Sequence, residues 1–469
     1  NNIRQITGWK ENKKYFSQTA DIDMNIDPWN AEPYWQPIEY FTDNYYGGDF
    51  KISNLVVYDT EKSKVGLFRD TDGASISDLV FENAGIVGSY TIGCVAGSAV
   101  SSIIKNVSAT VKNSGNATVG GLVGSAESTS FDNCSVTGEI TSSNTSGGLV
   151  ARLEFGSVKG CTSDIIFLGT VSYAGGLIGK IIGSSITSSS AVCTMTGYSG
   201  LGGLIGIADA YFGSGTSVIT KCYSKGSIEG TYYLGGFIGQ AKESFNIEEC
   251  YSFTNIKGSG SYIGGFCGDS YGFGAEIINC YSKGFVDASG PLNSVGGFLG
   301  SVSDTAVSRS YWDIETSGQT NSIAGVGRTT EDMTYPLNDY TYYNWDFVNT
   351  WQIDPLLNGG YPFLKWQNLT GIEEEITVLP DDLILEQNYP NPFNPVTKIS
   401  YSLPQGFSGN VKLSIYNANG QLVKELVNEK KSAGIYWVEL NASDLNSGLY
   451  IYRIETSSSS LSKKMILLK

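Results

Sequence analysis

Apolar and polar residues follow one short arrangement that returns many times between residues 76 and 310. In each copy, two apolar or small positions lie three residues apart and enclose two mostly polar positions, as in Ile104-Lys105-Asn106-Val107. Alternation with a period of two is typical of β-strands, and this in-out-out-in order is typical of a corner between two short strands. No segment keeps the helical period of 3.6 residues over ten residues. The pattern therefore predicts an all-β chain.

The two inward positions of this arrangement are kept throughout its nine copies. The first position is always apolar: Ile76, Ile104, Phe131, Val158, Ile186, Ile219, Ile247, Ile277 and Val307. The second position is small or aliphatic: Leu79, Val107, Cys134, Cys161, Ser189, Cys222, Cys250, Cys280 and Ser310. If the copies stack on one another, each position forms a column inside the stack.

A five-residue phrase, Gly-Gly-Leu-Val-Gly at 120–124, follows the arrangement and also repeats. Further copies begin at residues 147, 175, 202, 235, 264 and 296, after a degenerate copy at 93. Successive first glycines are 27, 27, 28, 27, 33, 29 and 32 residues apart, a period typical of stacked supersecondary units. The glycines fit a bend or a close approach between backbones, where a Cβ would cause strain. No Lys-Ser/Thr follows the phrase, which excludes a phosphate-binding loop.

These repeats predict a parallel β-solenoid (β-helix) of about nine rungs over residues 71–312. Residues 1–70 and 313–367 are predicted to cap its two ends, because an open rung leaves unpaired backbone groups. Both predicted caps are rich in aromatic residues, which suit compact caps. Their tryptophans are Trp9, Trp29 and Trp35 on one side and Trp345, Trp351 and Trp366 on the other.

The last part of the chain differs in composition and pattern. Residues 368–383 form an acidic linker, and residues 384–469 alternate in the manner of strands, with an Asn-Ala-Asn-Gly turn at 417–420. This predicts a second domain, a small antiparallel β-sandwich. The chain carries a net charge of −16, whereas residues 384–469 carry +3, which leaves −19 for the rest.

Composition excludes several classes of function. The net charge of −16 disfavours nucleic acid as a partner. No apolar run reaches the length of a membrane-spanning helix, so no transmembrane segment is predicted. The chain begins at Asn1 without an apolar leader, so either a signal peptide has been removed or none existed. Histidine is absent, which removes the commonest general base and the commonest zinc ligand.

All eight cysteines lie between Cys94 and Cys280, and none shows Cys-x-x-Cys spacing, which disfavours a zinc site. Five of them form the cysteine column of the predicted solenoid: Cys134, Cys161, Cys222, Cys250 and Cys280. Disulfides between rungs are one interpretation. Small buried thiols in an inner ladder are the favoured one, because parallel side chains in register suit the disulfide dihedral poorly.

A tyrosine column follows the cysteine column by one residue: Tyr223, Tyr251, Tyr281 and Tyr311. By alternation these side chains point outward, and the pattern predicts an exposed aromatic stripe over four rungs. Three interpretations stay open: ordinary stacking between rungs, a contact surface for another subunit, and a platform for sugars.

Two parts of the chain resemble known families. The repeated Gly-Gly-Leu-Val-Gly phrase resembles the GLUG motif, and with its flanks the resemblance covers roughly residues 8–367. This family occurs in bacterial surface and secreted proteins, including regions attached to an immunoglobulin A peptidase, and it implies no catalytic residues.

The tail resembles the C-terminal sorting domain of the type IX secretion system. The resemblance rests on Asn388-Tyr389-Pro390-Asn391-Pro392-Phe393, on Ile415–Gly420, on Ser447–Tyr450 and on Lys463-Lys464-Met465. It implies an immunoglobulin-like fold, interaction with that secretion machinery, and a secreted or outer-surface location.

Together these features predict a secreted or cell-surface structural protein that self-assembles into a filament or layer, its C-terminal domain serving in export and docking. A monomeric adhesin or glycan-binding surface protein is the alternative. A polysaccharide-degrading β-helix enzyme is disfavoured, because outward positions are mostly Ser, Thr, Asn and Tyr and no paired carboxylates emerge. We therefore expect no catalytic residues, cofactor or metal.

Overall fold

The computed structural model describes residues 13–25, 34–210, 215–242, 244–288, 294–367, 369, 383–385, 387–388, 391–457 and 459–468. The chain divides into two compact units, Asn1–Glu373 and Glu374–Lys469. Trp9, Trp29, Tyr389, Pro390 and most of the predicted linker lie outside the described residues.

The first unit is a parallel β-solenoid of about ten turns, as the repeats predict. Its first face follows the double glycine and contains Ile38–Phe41, Phe68–Asp72, Ala96–Val100, Val123–Glu127, Val150–Glu154, Ile178–Ile182, Ile205–Asp209, Ile238–Lys242, Cys267–Ile278 and Leu299–Ser308. Its second face contains Tyr15–Ser17, Asn44–Tyr46, Ser75–Gly88, Ile103–Ser114, Ser130–Asp132, Ser157–Lys159, Ser185–Thr187, Ser217–Thr220 and Phe245–Glu248. The strands Ser75–Gly88, Ile103–Ser114, Cys267–Ile278 and Leu299–Ser308 continue around a corner into a neighbouring face.

The third face carries the predicted tyrosine column. It contains Ile22–Asp23, Lys51–Ser53, Val56–Asp59, Ser135–Thr141, Thr162–Ser172, Ser190–Gly202, Tyr223–Gly230, Tyr251–Gly258, Tyr281–Ser282, Val286–Ala288, Tyr311–Asp313 and Val326–Arg328. Short strands at the double glycine close each rung: Lys64–Val65, Thr91–Ile92, Thr118–Gly120, Ser146–Gly147, Ala174–Gly175, Tyr232–Gly235, Ile263–Gly264 and Val295–Gly296.

The inner columns pair as the sequence predicts. Ile104 lies opposite Phe131, which in turn lies opposite Val158, and the column continues in register to Val307. Side chains within it are buried, except at the last rung. The residue after each double glycine is also internal, and there Phe237 and Phe266 stack with ring centroids 4.7 Å apart. Each rung thus buries its apolar face only against its neighbours.

Each predicted corner contains one residue with left-handed backbone, directly before the second inner position. The backbone φ is 50° at Asn106, 54° at Asn133 and 56° at Lys221. The side-chain amide group of Asn133 donates to Oδ1 of Asn106 on the neighbouring rung (2.9 Å). Asparagine tolerates this conformation better than most other non-glycine residues, which accounts for Asn106, Asn133 and Asn279 at this position.

The double glycine marks a close approach between backbones rather than a turn that needs positive φ. A Cβ on Gly120 would lie 1.9 Å from the carbonyl oxygen of Val123, and one on Gly203 would lie 2.0 Å from that of Gly236 on the next rung. Real Cβ atoms do not approach backbone oxygen so closely, so only glycine lets the rungs stack at this corner.

The two regions that the sequence predicts as end caps are arranged differently from that prediction. Tyr15–Ser17 pairs in parallel with Asn44–Tyr46, and that strand pairs with the start of Ser75–Gly88, so described residues before 71 form the first rungs. After the last rung, residues 314–328 cover part of its end: Val326–Arg328 pairs with Tyr311–Asp313, and the backbone N–H of Gly297 donates to the carbonyl of Asn321. Residues 330–367 then return along the side of the solenoid. This segment contains the helix Thr330–Met333, the antiparallel strands Trp351–Gln352 and Phe363–Leu364, and the 3-10 turns Asn358–Gly360 and Lys365–Gln367.

The second unit is a five-stranded antiparallel, sandwich-like β-structure, as predicted. Its strands are Ile384–Leu385, Val396–Asn417, Leu422–Asn441, Gly448–Glu455 and Ser460–Leu467. The predicted turn separates the two longest strands, where Gly420 has a φ of 77°. Tyr401, Leu413, Tyr452 and Met465 are fully or almost fully buried in its separate core.

Candidate interaction surfaces

The cysteine column consists of buried, free thiols whose sulfur atoms bond to the backbone of neighbouring rungs. The backbone N–H of Cys134 donates to Sγ of Cys161 (3.3 Å), and that of Cys222 donates to Sγ of Cys250 (3.4 Å). Ser189 continues the same role, accepting from the N–H of Cys161 at 3.1 Å. A small side chain with an acceptor satisfies a corner N–H that the strand ladder does not reach.

The tyrosine column points away from the solenoid core, but it is not exposed. Its rings stack, with centroids 5.0 Å apart between Tyr223 and Tyr251 and 5.1 Å apart between Tyr251 and Tyr281. Tyr251 and Tyr281 are 0% exposed and Tyr311 is 5% exposed. The prediction of an exposed stripe is therefore wrong, because a later part of the chain covers it.

That covering segment, residues 330–367, is called the strap here. Trp351 lies 6.2 Å from Tyr251 and 6.1 Å from Tyr281, centroid to centroid, and it is completely buried. Near the far end of the strap, Trp366 packs against Tyr223 at 5.8 Å. The tyrosine column therefore forms an aromatic interface within one chain.

Two tryptophans anchor the strap to backbone carbonyl groups at opposite ends of the column. The indole N–H of Trp345 donates to the carbonyl of Arg309 (3.1 Å), and that of Trp366 donates to the carbonyl of Lys221 (2.8 Å). Both carbonyls lie at corners, on the residue with left-handed backbone. The strap thus crosses every rung that carries a tyrosine of the column.

A buried carboxylate fixes the base of the strap. Asp313 is 0% exposed, and its Oδ1 accepts the backbone N–H groups of Glu315 and Thr316. Its Oδ2 accepts the hydroxyl groups of Thr330 and Tyr361, which both belong to the strap. A buried charge needs several donors to offset its lost hydration, so these contacts act together.

Burial holds the pKa of Tyr281, Tyr342 and Tyr361 well above 10, and the Asp313 carboxylate adds to the effect for the last two. Because the folded-state pKa exceeds the unfolded value of about 10, the stabilisation is complete below that pH and is lost as the pH rises above it. We expect alkaline titration to release the strap while the rungs persist. Near-ultraviolet circular dichroism and tyrosinate absorbance should show late, cooperative ionisation. Simple titration of all tyrosines near pH 10, with the aromatic signal unchanged, would contradict this expectation.

The two ends of the solenoid leave inner columns incompletely covered. In the part of the chain that the structure describes, Tyr15–Ser17 pairs only with Asn44–Tyr46, and Leu299–Ser308 pairs only with Cys267–Ile278. Phe16 at the first rung and Val307 at the last are partly exposed, although they continue buried columns. A groove of about 420 Å³, lined mainly by Tyr15–Ser17, Asn44–Tyr46, Ser75 and Ser77, lies beside the first rung.

Two further features concern metal binding and membrane insertion. Among the described residues no cluster of three or more Cys, Asp or Glu side chains is placed to hold a metal ion. Within the same residues, no helix has the length and apolar character needed to cross a membrane. Most features of the described chain are structural: stacked columns, backbone corners and the strap.

Two family models match parts of the chain. The model for the GLUG motif matches residues 115–141, and the model for the secretion system C-terminal sorting domain matches residues 387–468. These matches confirm both resemblances predicted from the sequence. The sorting domain indicates that the chain is secreted and reaches the cell surface.

The chain is also similar to segments of longer proteins. It is 29% identical over 314 residues to Halomucin of Haloquadratum walsbyi, a match that spans 61% of this chain and 3% of that protein. It is 30% identical over 105 residues to a putative Gly-rich membrane protein of Evansella cellulosilytica, spanning 22% and 12%. Among solved structures, an IgA1 protease matches 60% of this chain and 22% of its own, with 16% identity and a TM-score of 0.34. The chain thus spans only a small part of the curated relatives it matches.

Proposed function

We propose that this secreted surface protein is a structural component whose solenoids assemble end to end. The incompletely covered end columns carry the proposal: Phe16 at the first rung and Val307 at the last are partly exposed members of one continuous apolar column. An unpaired parallel edge accepts another strand, and two different edges on one molecule build an open chain of copies rather than a closed dimer.

The register of the columns specifies how two copies meet. Tyr15 and Ala306 occupy the same column at opposite ends, so a second copy that continues the ladder sets its Phe16 against Val307. The same register sets Lys13 of the second copy against Asp304, which pairs opposite charges at the edge of the contact. Burial of Phe16 and Val307 then extends the core at the second face, whereas at the third face Val326–Arg328 already covers the last rung.

The tail provides the second contact of the proposed assembly. Residues 384–469 carry +3 on a chain of −16, and the strand Leu422–Asn441 presents Lys430 to solvent. After export this domain docks onto the acidic solenoid of a neighbouring copy by charge complementarity. Such docking weakens as salt rises, whereas stacking of apolar columns does not, so sedimentation at several salt concentrations separates the two contacts.

Val307→Lys is expected to abolish chain growth of the full-length protein, because a charge would be buried between rungs. Phe16→Lys should do the same from the other end, and because both variants add a positive charge, the two altered ends cannot form an ion pair with each other. Each variant keeps one intact end, so an equimolar mixture should form a dimer of Val307→Lys with Phe16→Lys and nothing longer. Sedimentation velocity and negative-stain electron microscopy measure these states.

Ile103→Lys is the matched control, because Ile103 is half exposed on the outward side of an inner rung. It should assemble as the wild type does. Wild-type protein that stays monomeric at high concentration would overturn the proposal, and so would a mixture of the two end variants that gives only monomers.

A further inference from the structure

A second group of tyrosines lies beside the double glycine, on a different side of the solenoid from the strap. Three tyrosines lie two residues before the first glycine of a double glycine and have left-handed backbone: Tyr173, Tyr233 and Tyr262, with φ of 51°, 55° and 65°. Gly200 holds the equivalent position on the rung between the first two, with a φ of 70°. These three tyrosines are called the left-handed tyrosine row.

Two rings of this row stack on each other, and the third lies over Gly200 on the neighbouring rung. Tyr233 and Tyr262 stack in parallel, with centroids 4.7 Å apart and planes at 1°. The ring of Tyr173 lies over Gly200, since a Cβ on that glycine would come within 2.8 Å of Cδ1 of Tyr173. Tyr173 remains 42% exposed.

Two polar side chains in the first face lie beside the row. Gln240 and Asp269 are paired neighbours on adjacent rungs, only 7% and 8% exposed, and Nε2 of Gln240 donates to Oδ2 of Asp269 at 3.0 Å. Among the described residues, no hydrogen bond reaches Oε1 of Gln240 or Oδ1 of Asp269. A Cβ on Gly200 would lie 3.4 Å from the side chain of Ile207, which pairs with Gln240, so this column adjoins the row. The pKa of Tyr233 is raised, first by partial burial and then by Tyr262 and Asp269.

These two oxygen atoms, Oε1 of Gln240 and Oδ1 of Asp269, are therefore available to accept hydrogen bonds from a ligand that brings hydroxyl donors. The charged groups around the row sum to a net charge of zero. Nζ of Lys180 lies 2.5 Å from Oδ2 of Asp209, and Lys242 acts on the same carboxylate, so with Asp269 the surface has two positive and two negative groups. A balanced surface on a chain of −16 favours an uncharged ligand.

We propose that the left-handed tyrosine row binds a neutral polysaccharide that runs along the solenoid axis. Sugar hydroxyl groups donate to Oε1 of Gln240 and Oδ1 of Asp269, and the apolar face of a sugar ring packs on Tyr173. Tyrosine hydroxyl groups and the ammonium of Lys242 donate to sugar oxygens. The row lies along the side of the solenoid and leaves the ends open for assembly.

The test titrates the full chain with soluble mannan, xylan and β-glucan, and with anionic alginate, by isothermal calorimetry. At least one neutral polysaccharide should bind, and alginate should not. Gln240→Met removes an acceptor at nearly constant volume and should weaken binding about tenfold, a loss typical of one hydrogen bond to a buried group. Tyr233→Ser combined with Tyr262→Ser should weaken it further.

Tyr198→Ser combined with Tyr232→Ser is the matched control, because these exposed rings also contact each other, with centroids 5.6 Å apart. It should bind as the wild type does, and so should Val307→Lys, which tests assembly separately. The proposal is overturned if no neutral polysaccharide binds, if alginate binds equally well, or if both tyrosine pairs matter equally. If the Tyr233 and Tyr262 variant fails to fold, unchanged binding by Gln240→Met still overturns it.

Discussion

Gly203→Ala should prevent the rungs on either side of residue 203 from stacking and should strongly lower the stability of the solenoid. The added Cβ would lie 2.0 Å from the carbonyl oxygen of Gly236, 2.6 Å from Oγ1 of Thr254 and 2.9 Å from Cβ of Ser224. The nearest atom belongs to backbone that is itself hydrogen-bonded between rungs, so it cannot move aside alone. Relief therefore requires the two rungs to separate.

The expected loss is about 3 kcal/mol or more, at the upper end of overpacking effects in protein cores. The midpoint of guanidinium unfolding, followed by far-ultraviolet circular dichroism, measures it. Because a solenoid is held together by contacts between nearest neighbours, the variant should unfold in more than one step, with the two halves separating at the altered corner.

Gly85→Ala is the matched control within the same solenoid. A Cβ there would meet only the carbonyl oxygen of Lys112 at 3.9 Å, and the residue does not have positive φ. Reduced freedom of the unfolded chain should make this change neutral or stabilising by up to about 1 kcal/mol. Equal losses for Gly203→Ala and Gly85→Ala would show that close backbone approach is not what the repeated glycines provide.

The sequence predicts the solenoid well because its repeats place one residue type at one position on successive rungs. One at a time, Ile104, Phe131 and Val158 are uninformative. Their nearly constant distance from the following double glycine, 16, 16 and 17 residues, indicates both the corner and the register. The cysteine column is found in the same way. The hydrogen bonds from backbone N–H groups to the cysteine sulfur atoms cannot be predicted in this way, because residue spacing does not show which backbone groups a corner leaves unpaired.

The strap could not be predicted by this reasoning, because alternation says which side of a strand a residue lies on and not what covers that side. Tyr251 and Trp351 are separated by 100 residues in sequence, and no local period links them. One signal was present: between residues 36 and 311 the chain has no tryptophan, whereas tryptophans return directly after the last tyrosine of the column. A column of tyrosines and a later segment rich in tryptophan are expected to pack against each other.

The first rungs were mistaken for a cap for a related reason. Phe16 and Tyr45 continue the inner column, but this part of the chain lacks the five-residue Gly-Gly-Leu-Val-Gly sequence, and Gly47-Gly48 stands directly after Tyr45-Tyr46 instead of far downstream of the inner column. Only the register of the hydrogen bonds between rungs assigns these strands to the solenoid, and the sequence pattern does not give that register.

Trp351→Ala should release the strap from an otherwise folded solenoid. The indole is 0% exposed and lies 4.7 Å from Trp345, centroid to centroid, as well as against Tyr251 and Tyr281. Removing a buried tryptophan costs about 3–5 kcal/mol, which is large for a segment held mainly by these rings. Hydrogen exchange and limited proteolysis should show faster exchange and cleavage within 330–367, with unchanged protection of rungs before Tyr223.

Val348→Ala is the matched control on the same segment, because Val348 is 79% exposed, and its strap should stay protected. Release in the Trp351 variant would uncover the stacked rings of Tyr251 and Tyr281 and create the exposed stripe that the sequence pattern suggests. Large exposed aromatic patches associate, so this variant should form side-to-side contacts that the wild type lacks. Such contacts would persist in Val307→Lys combined with Trp351→Ala, because they do not use the ends. If the strap of Trp351→Ala stays as protected as that of Val348→Ala, the aromatic interface is not what holds it.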